Sequence, residues 1–348
     1  MTFRTDAEMA WITGDRPGVP DFTTAIAEET ARAVCAVALP ALGIDPAEPA
    51  VVTALRLPEG LIGRYKLKAG TRDWFVRVCT RRGFPELEKR VTAFLHEAGI
   101  PIAPIVVAGL SLPGHRPELR VDIRPFIEGY HFDGSAEGLS RLGSALRKLH
   151  HVFLNCPEAA SIRANAARRY EALAEARDTI RNATVNGDFT VFGERAAWAR
   201  GRRNWLARMA EQYVPNAHMS DGAQCVHGQL HRGNVLFRAE DGAPLFHDFE
   251  ESVWTYVSPA WDLAYVVQRF CLQATSSHHD ALGHAAIVLN AYGDPPAGLT
   301  DMMRQIAWFA IATMLDLHLR KNIVTPDWEY EKFVQLELDV ENFEGRLQ

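Results

Sequence analysis

Val235-Leu-Phe237 and Pro244-Leu-Phe246 are apolar runs on either side of a turn that contains Gly242, the pattern of a β-hairpin. The polar residues flanking that hairpin limit what the chain can become. Asn234 ends the run His227-Gly-Gln-Leu-His-Arg-Gly-Asn234 just before the first apolar stretch, and Asp248 follows the second in His247-Asp-Phe-Glu250. Antiparallel pairing brings these two residues, fourteen positions apart, to one spot. A rigid base carrying an amide oxygen and a carboxylate suits a magnesium ion that bridges nucleotide phosphates, because this ion takes hard oxygen ligands. Fourteen residues further on, Asp262 begins Asp-Leu-Ala264 in a helical stretch, where it can cap or brace the loop.

Around this hairpin the chain has 348 residues, enough for a bilobal fold or two globular units. With 47% hydrophobic and 23% charged residues it has the make-up of a globular protein, not a disordered one. A net charge of -6 speaks against nucleic acid, which calls for a basic stripe, and leaves room for a small cationic or hydroxylated acceptor. Five scattered cysteines form no CxxC pair, so they read as thiols in a reducing cytoplasm. The acidic start MTFRTDAEMAWITGD lacks the apolar centre of a signal peptide, and Ile306 to Leu315 is too short to cross a bilayer, so no membrane is expected.

Residues 22–39 have helical composition ended by Pro40 and Gly43. Strands are expected at 51–56, 64–68, 73–79, 103–109 and 118–124. Pro85 opens a helix with an apolar stripe at Leu87, Val91, Phe94 and Leu95, closed by Gly99. From 138 the pattern turns helical, with one helix over 140–153 and two over 158–216 around 186–193. The fold class is therefore α+β, with a small β-rich part in 1–125 and a larger, mainly helical part in 126–348. His227 and His231 lie four apart, but there is no HExxH glutamate and Gly228 opposes a helix, so they read as structuring the loop and not as zinc ligands. No Walker loop, dinucleotide fingerprint or GxSxG elbow occurs.

The pattern His227-Gly-Gln-Leu-His-x-x-Asn234, then Asp248-Phe-Glu250, then Asp262-Leu-Ala264 resembles the aminoglycoside phosphotransferase and choline kinase-like family over roughly residues 50–275. The resemblance implies a bilobal protein-kinase-like fold, with a nucleotide-binding lobe in 1–125 and a catalytic, substrate-binding lobe in 126–348. It implies ATP or GTP with Mg2+ as cofactors, Asn234 and Asp248 as metal ligands, and a small-molecule hydroxyl as acceptor. Gln229, with His227, Asn234 and Asp248, takes the catalytic positions. In the first lobe Arg77 of Trp74-Phe-Val-Arg-Val78 takes the basic strand position that meets phosphates, where a guanidinium can bind in a fork, and Glu88 is its helix partner. Phe126 and Glu128 fall in the segment 125–129 that resembles the hinge holding adenine, and Pro58 to Gly63 is the loop expected over the phosphates. For the acceptor pocket the chain offers only Trp198, Trp205, Trp308, Phe309 and Trp328, and the acidic tail from Asp327 reads first as a solvated helix face.

The chain departs from this pattern at Gln229, where the family has its catalytic aspartate. Glutamine accepts a hydrogen bond but takes no proton, so orientation is kept and general-base capacity is lost. Phosphoryl transfer through a loose transition state tolerates this, since metal and positioning carry most of the catalysis. Three readings stay open: a phosphotransferase with an altered base, a nucleotide-binding pseudokinase, and a different transfer on the same fold, such as nucleotidyl transfer.

Overall fold

A computed structural model describes residues 18–24, 26–56, 58, 60–80, 83–112, 118–213, 222–272, 278–321, 325, 329–334 and 340–341. By contact the chain divides into two compact units, Met1–Glu158 with His231–Val253, and Ala159–Leu230 with Trp254–Gln348.

The first unit is built on a five-stranded antiparallel sheet of β1 (Ala50–Ala54), β2 (Gly63–Ala69), β3 (Arg72–Cys79), β4 (Val107–Leu112) and β5 (Leu119–Pro125), in the order β1-β2-β3-β5-β4. Its strands alternate with period two, so each has one apolar and one mixed face. Tyr65, Leu67, Trp74, Val76, Val78, Val121 and Ile123 form the apolar face and share a core with Val34, Ala38 and Leu39 of helix α1 (Glu28–Ala41). The opposite face carries Arg64, Lys66, Phe75, Arg77, Asp122 and Arg124; within it Phe75 pairs across from Arg124, and Arg77 from Asp122.

Helix α1 starts six residues later than composition suggests. Phe22 is held edge-on against Phe75 and Phe126, Thr24 bridges to Ala54, and Asp21 takes the Thr23 N–H, so residues 21–24 are pinned in a non-helical form. At its other end α1 runs through Pro40 instead of stopping before it. Helix α2 (Pro85–Glu97) begins on Pro85 as expected and buries Leu87, Glu88, Val91, Thr92 and Leu95 on one side. β4 begins four residues beyond its expected start and shifts register between Val107 and Leu110, because a bulge there interrupts the alternation.

Past β6 (Gly129–Tyr130), helix α3 (Ala136–Phe153) is capped by Ser135, whose Oγ accepts the Gly138 N–H at 3.1 Å. The hairpin anticipated from the sequence follows later in the chain as β7 (Val235–Arg238) and β8 (Pro244–Phe246), with β6 along the other edge of β7. It is woven into the first unit: Phe237 stacks on Tyr130, Phe249 meets Phe153, and Phe246 N–H donates to the Pro101 carbonyl at 3.1 Å.

The second unit is mostly helical, with α4 (Ala159–Asn186), α5 (Arg203–Gln212), α6 (Ala260–Val266), α7 (His278–Tyr292) and α8 (Leu299–Lys321). Between α4 and α5 the chain makes a 3-10 turn at Thr190–Arg195 and a short helix at Ala196–Gly201. Trp261 of α6 packs edge-on against Phe309 of α8, with ring centroids 5.1 Å apart, and a two-residue pairing joins 224–225 to 256–257. Among the described residues no helix is long and apolar enough to cross a membrane.

Candidate active site

The hairpin fixes Asn234 and Asp248 through its own backbone. Val235 pairs with Phe246, and the Asn234 carbonyl accepts the His247 N–H at 3.1 Å, so the two arms stay in step up to the polar residues. Asn234 is buried. Asp248 has φ 63°, in the left-handed region that aspartate enters more readily than most residues but still at some cost. Ahead of the first strand, His231 Nδ1 accepts the Gly233 N–H at 3.0 Å and shapes the turn, the role expected for this histidine.

Arg77 of β3 meets this end of the hairpin. Its Nη1 donates to Asp248 Oδ1 at 2.9 Å, and its Nη2 lies 3.2 Å from Asp122 Oδ2 and 3.3 Å from Glu250 Oε2. Burial works against the Arg77 charge, but the nearby Asp248, Glu88 and Asp122 outweigh it and push the pKa further up. Asp122 is itself fixed from the other side. Its Oδ1 accepts the Gly109 N–H at 2.8 Å, a bond made possible by the β4 bulge.

Glu88 stands among the buried residues of α2, and its closest ion-pair contact is Arg124 Nη2 at 3.9 Å. The expected Arg77–Glu88 pair is not formed: Arg77 is hydrogen-bonded to Asp248, Asp122 and Glu250, at the hairpin end and on the neighbouring strand, and the ion-pair partner of Glu88 is Arg124 instead. Burial raises the Glu88 pKa, opposed by Arg124 and then Arg77. His247, half-buried on the wall of the site, is driven well below the usual histidine value by desolvation.

A cavity of about 510 Å³ lies within this unit. Arg77, Phe126, Glu128 and Asp248 line it, together with the apolar side chains of Leu55, Phe75, Leu236 and Leu245. That volume and lining suit a nucleotide-sized ligand. Along the segment 125–129, Phe126 N–H donates to the Asp73 carbonyl and the Glu128 carbonyl accepts from Ala239 N–H, while Ile127 makes no backbone hydrogen bond among the described residues. Of the loop expected over the phosphates, Glu59 lies outside the described residues.

In the second unit Asp262, fully buried, accepts the backbone N–H groups of His227 at 2.8 Å and Gly228 at 2.9 Å. Trp261 Nε1 donates to the Gly228 carbonyl at 2.9 Å. Three bonds thus hold the peptide just before Gln229, and Gly228, at φ 89°, supplies a backbone conformation that other residues resist. Gln229 is half-buried, with its N–H toward His227 Nδ1 at 3.4 Å. The bracing role read for Asp262 is present.

Of the aromatics considered for an acceptor pocket, Trp198 Nε1 donates to Glu331 at 2.6 Å, Trp205 and Phe309 are buried in packing, and Trp308, also buried, lines a second cavity of about 410 Å³ with Arg208, Gln212, Asp301, Arg304 and Glu341. Trp328 and much of the acidic tail lie outside the described residues. Sequence reading passed over Asp122 and Arg124. Their signal was the alternation in Val121-Asp-Ile-Arg124, where charges fall on every second residue of a strand.

Among curated proteins no sequence matches this chain. Solved structures share its fold. A spectinomycin phosphotransferase in complex with ADP and spectinomycin superposes with a TM-score of 0.58 at 14% identity, covering 84% of this chain and 93% of that one. The choline kinase LicA from Streptococcus pneumoniae gives 0.50 at 12% identity over 84% and 94% of the two chains. A Plasmodium vivax ethanolamine kinase gives 0.51 at 13% over 84% and 82%. These likenesses show the protein-kinase-like fold. The model of the APH phosphotransferase enzyme family matches residues 53–298. With well over half of its length so matched, and with the hairpin, the Arg77–Asp248 pair and the Asp262 brace in place, the chain belongs to the APH family of phosphotransferase enzymes.

Proposed function

We propose that this protein transfers a phosphoryl group from ATP or GTP to a hydroxyl of a small molecule, with 1–125 as the nucleotide lobe and 126–348 as the catalytic and acceptor lobe. The observation that carries the reading is Arg77 held by Asp248 in a cavity of nucleotide size. ADP in the spectinomycin phosphotransferase supports a nucleotide, and the choline and ethanolamine kinases support a small acceptor.

Three carboxylates around one guanidinium leave a formal excess of two negative charges beside Arg77. Hard oxygen donors with that excess fit Mg2+, which Asp248 and Asn234 would hold and which, when bound, neutralises charge on the phosphates. Arg77 offers its fork to phosphate oxygens. Gln229, on the loop that Asp262 braces, can accept a hydrogen bond from the acceptor hydroxyl, whose oxygen attacks the γ-phosphorus. The bond from that phosphorus to the β-phosphate oxygen breaks as the new bond to the acceptor oxygen forms, and the hydroxyl proton leaves late, to solvent or a phosphate oxygen.

The Gln229 amide favours a second reading, a nucleotide-binding pseudokinase, because it takes no proton; nucleotidyl transfer on this fold is the other alternative. Thermal shift with ATP and GTP, with and without Mg2+, tests the first step. Asp248→Ala is expected to abolish Mg2+-dependent stabilisation while melting cooperatively, and equal stabilisation of variant and wild type would overturn the metal assignment. Mass spectrometry of the products then separates the readings. Gln229→Asp should raise turnover, by at most the roughly 10²–10⁴-fold that a general base supplies. Gln229→Ala should lower it modestly, as one neutral hydrogen bond is worth about 0.5–1.5 kcal/mol. A nucleotide bound without any product leaves the pseudokinase, and a nucleotidylated product leaves the other transfer.

A further inference from the structure

Arg124 has an unusual position for an arginine. It is 5% exposed, it lines the 510 Å³ cavity, and among the described residues its guanidinium makes no hydrogen bond. Its nearest carboxylate, Glu88, is at 3.9 Å, beyond hydrogen-bond reach, and its other neighbour is the Phe75 ring, with centroid 5.9 Å from Cζ. A buried guanidinium presents five donors and no acceptor, and leaving them unmet is costly. The sheet fixes where those donors face. Arg124 pairs directly with Phe75, and both lie on the same face as Arg77, the face that lines the cavity.

Resting on the nucleotide reading above, we infer that Arg124 selects the base, and that the cavity takes a 6-oxopurine nucleotide, guanosine or inosine triphosphate, in preference to ATP. A purine is bound by apolar side chains on its faces and by polar groups on its edge. Here Phe75, Leu55, Leu236 and Leu245 supply the apolar contact, and the buried Arg124 supplies a fork of donors, while the carboxylate of Glu128 on the same cavity is exposed and turned to Lys66 at 3.9 Å. The O6 and N7 atoms of guanine or hypoxanthine are adjacent acceptors that match an arginine fork, whereas adenine places the N6 amino donor beside N7. With adenine one donor faces another.

The test measures dissociation constants of the whole protein for the magnesium complexes of inosine triphosphate, GTP and ATP by calorimetry. Inosine triphosphate differs from ATP only around position 6 of the base, so it isolates the group that Arg124 reads. Inosine triphosphate and GTP are expected to bind at least about tenfold more tightly than ATP, the lower range for a fork on a purine edge. In Arg124→Met the two oxopurine nucleotides should lose that advantage while ATP binding is unchanged or tighter. Wild type binding ATP as tightly as inosine triphosphate overturns the inference, as does an Arg124→Met protein that keeps the preference or weakens all three nucleotides alike, the mark of a purely structural ion pair. Should Arg124→Met fail to fold, Arg124→Met with Glu88→Gln removes both buried charges, and the wild-type comparison stands by itself. If none of the three binds, the nucleotide reading itself falls, which is a different result from a preference for ATP.

Discussion

Glu88 is 5% exposed, one of its carboxylate oxygens has no hydrogen-bond partner, and the two cations near it do not fully offset its burial. Its pKa therefore lies above the ordinary 4.5 in the folded protein and at that value in the unfolded chain. Between those two values the native state binds more protons than the unfolded one, so this residue makes stability fall as pH rises through the window. Below 4.5 both states hold the proton and the effect vanishes. Glu88→Gln keeps the shape of the neutral acid and removes the ionisation. Urea midpoints of wild type and Glu88→Gln measured from about pH 4 to about pH 8 should start close together and diverge, with the variant the more stable at the upper end. A constant difference across the range would mean that Glu88 ionises as it does in water. Asp248 shows the complementary case, a backbone at φ 63° kept where the carboxylate meets Arg77, and such an outlier is a pointer to function.

At the scale of elements, the β4 bulge does more than bend an edge. It turns the Gly109 N–H toward Asp122, and Asp122 in turn receives Arg77, so a two-step relay connects a strand edge to Arg77. Gly109 has φ 57°, and an added Cβ would come 2.5 Å from Pro85 Cγ, the residue that opens α2. Gly109→Ala combines strained backbone with a clash against a ring that cannot swing away. It should lower stability by about 1–3 kcal/mol in urea denaturation. Nucleotide affinity should fall as well, since Asp122 loses one of its anchors. An unchanged midpoint would show that the β4 edge yields freely. Helix α2 and the hairpin β7–β8 were both legible beforehand, because each depends on local rules: Pro85 at a helix start, and two short apolar runs around a glycine-containing turn. Helix α1 was misplaced because Phe22 is held by Phe75 and Phe126, contacts that helical composition does not reveal.

The first compact unit is discontinuous in the chain, and its hairpin arrives only after residues 159–230 have been built into the second. A fragment of residues 1–158 would lack Phe237 and Phe249, which pack on Tyr130, Phe132 and Phe153, and would leave Ile102 without its bridge to Phe246. It should show no cooperative thermal transition by circular dichroism and no nucleotide binding, and a sharp melt from that fragment would contradict the division. The sequence alone determined the hairpin with Asn234 and Asp248, the helix bearing Glu88, and the β-rich beginning and helical remainder, since all of these rest on residue type and short spacing. It did not determine what surrounds Arg77. Asp122 and Asp248 come from 45 and 171 residues away, and which face of β5 meets them is set by the register of Arg77 on Asp122. A shift of one residue would turn Asp122 and Arg124 into the apolar core and Val121 and Ile123 toward the cavity. Only the pairing of the strands, driven by burial of the Val76 and Val78 face, places the charges of Arg77 and Arg124 on the cavity side.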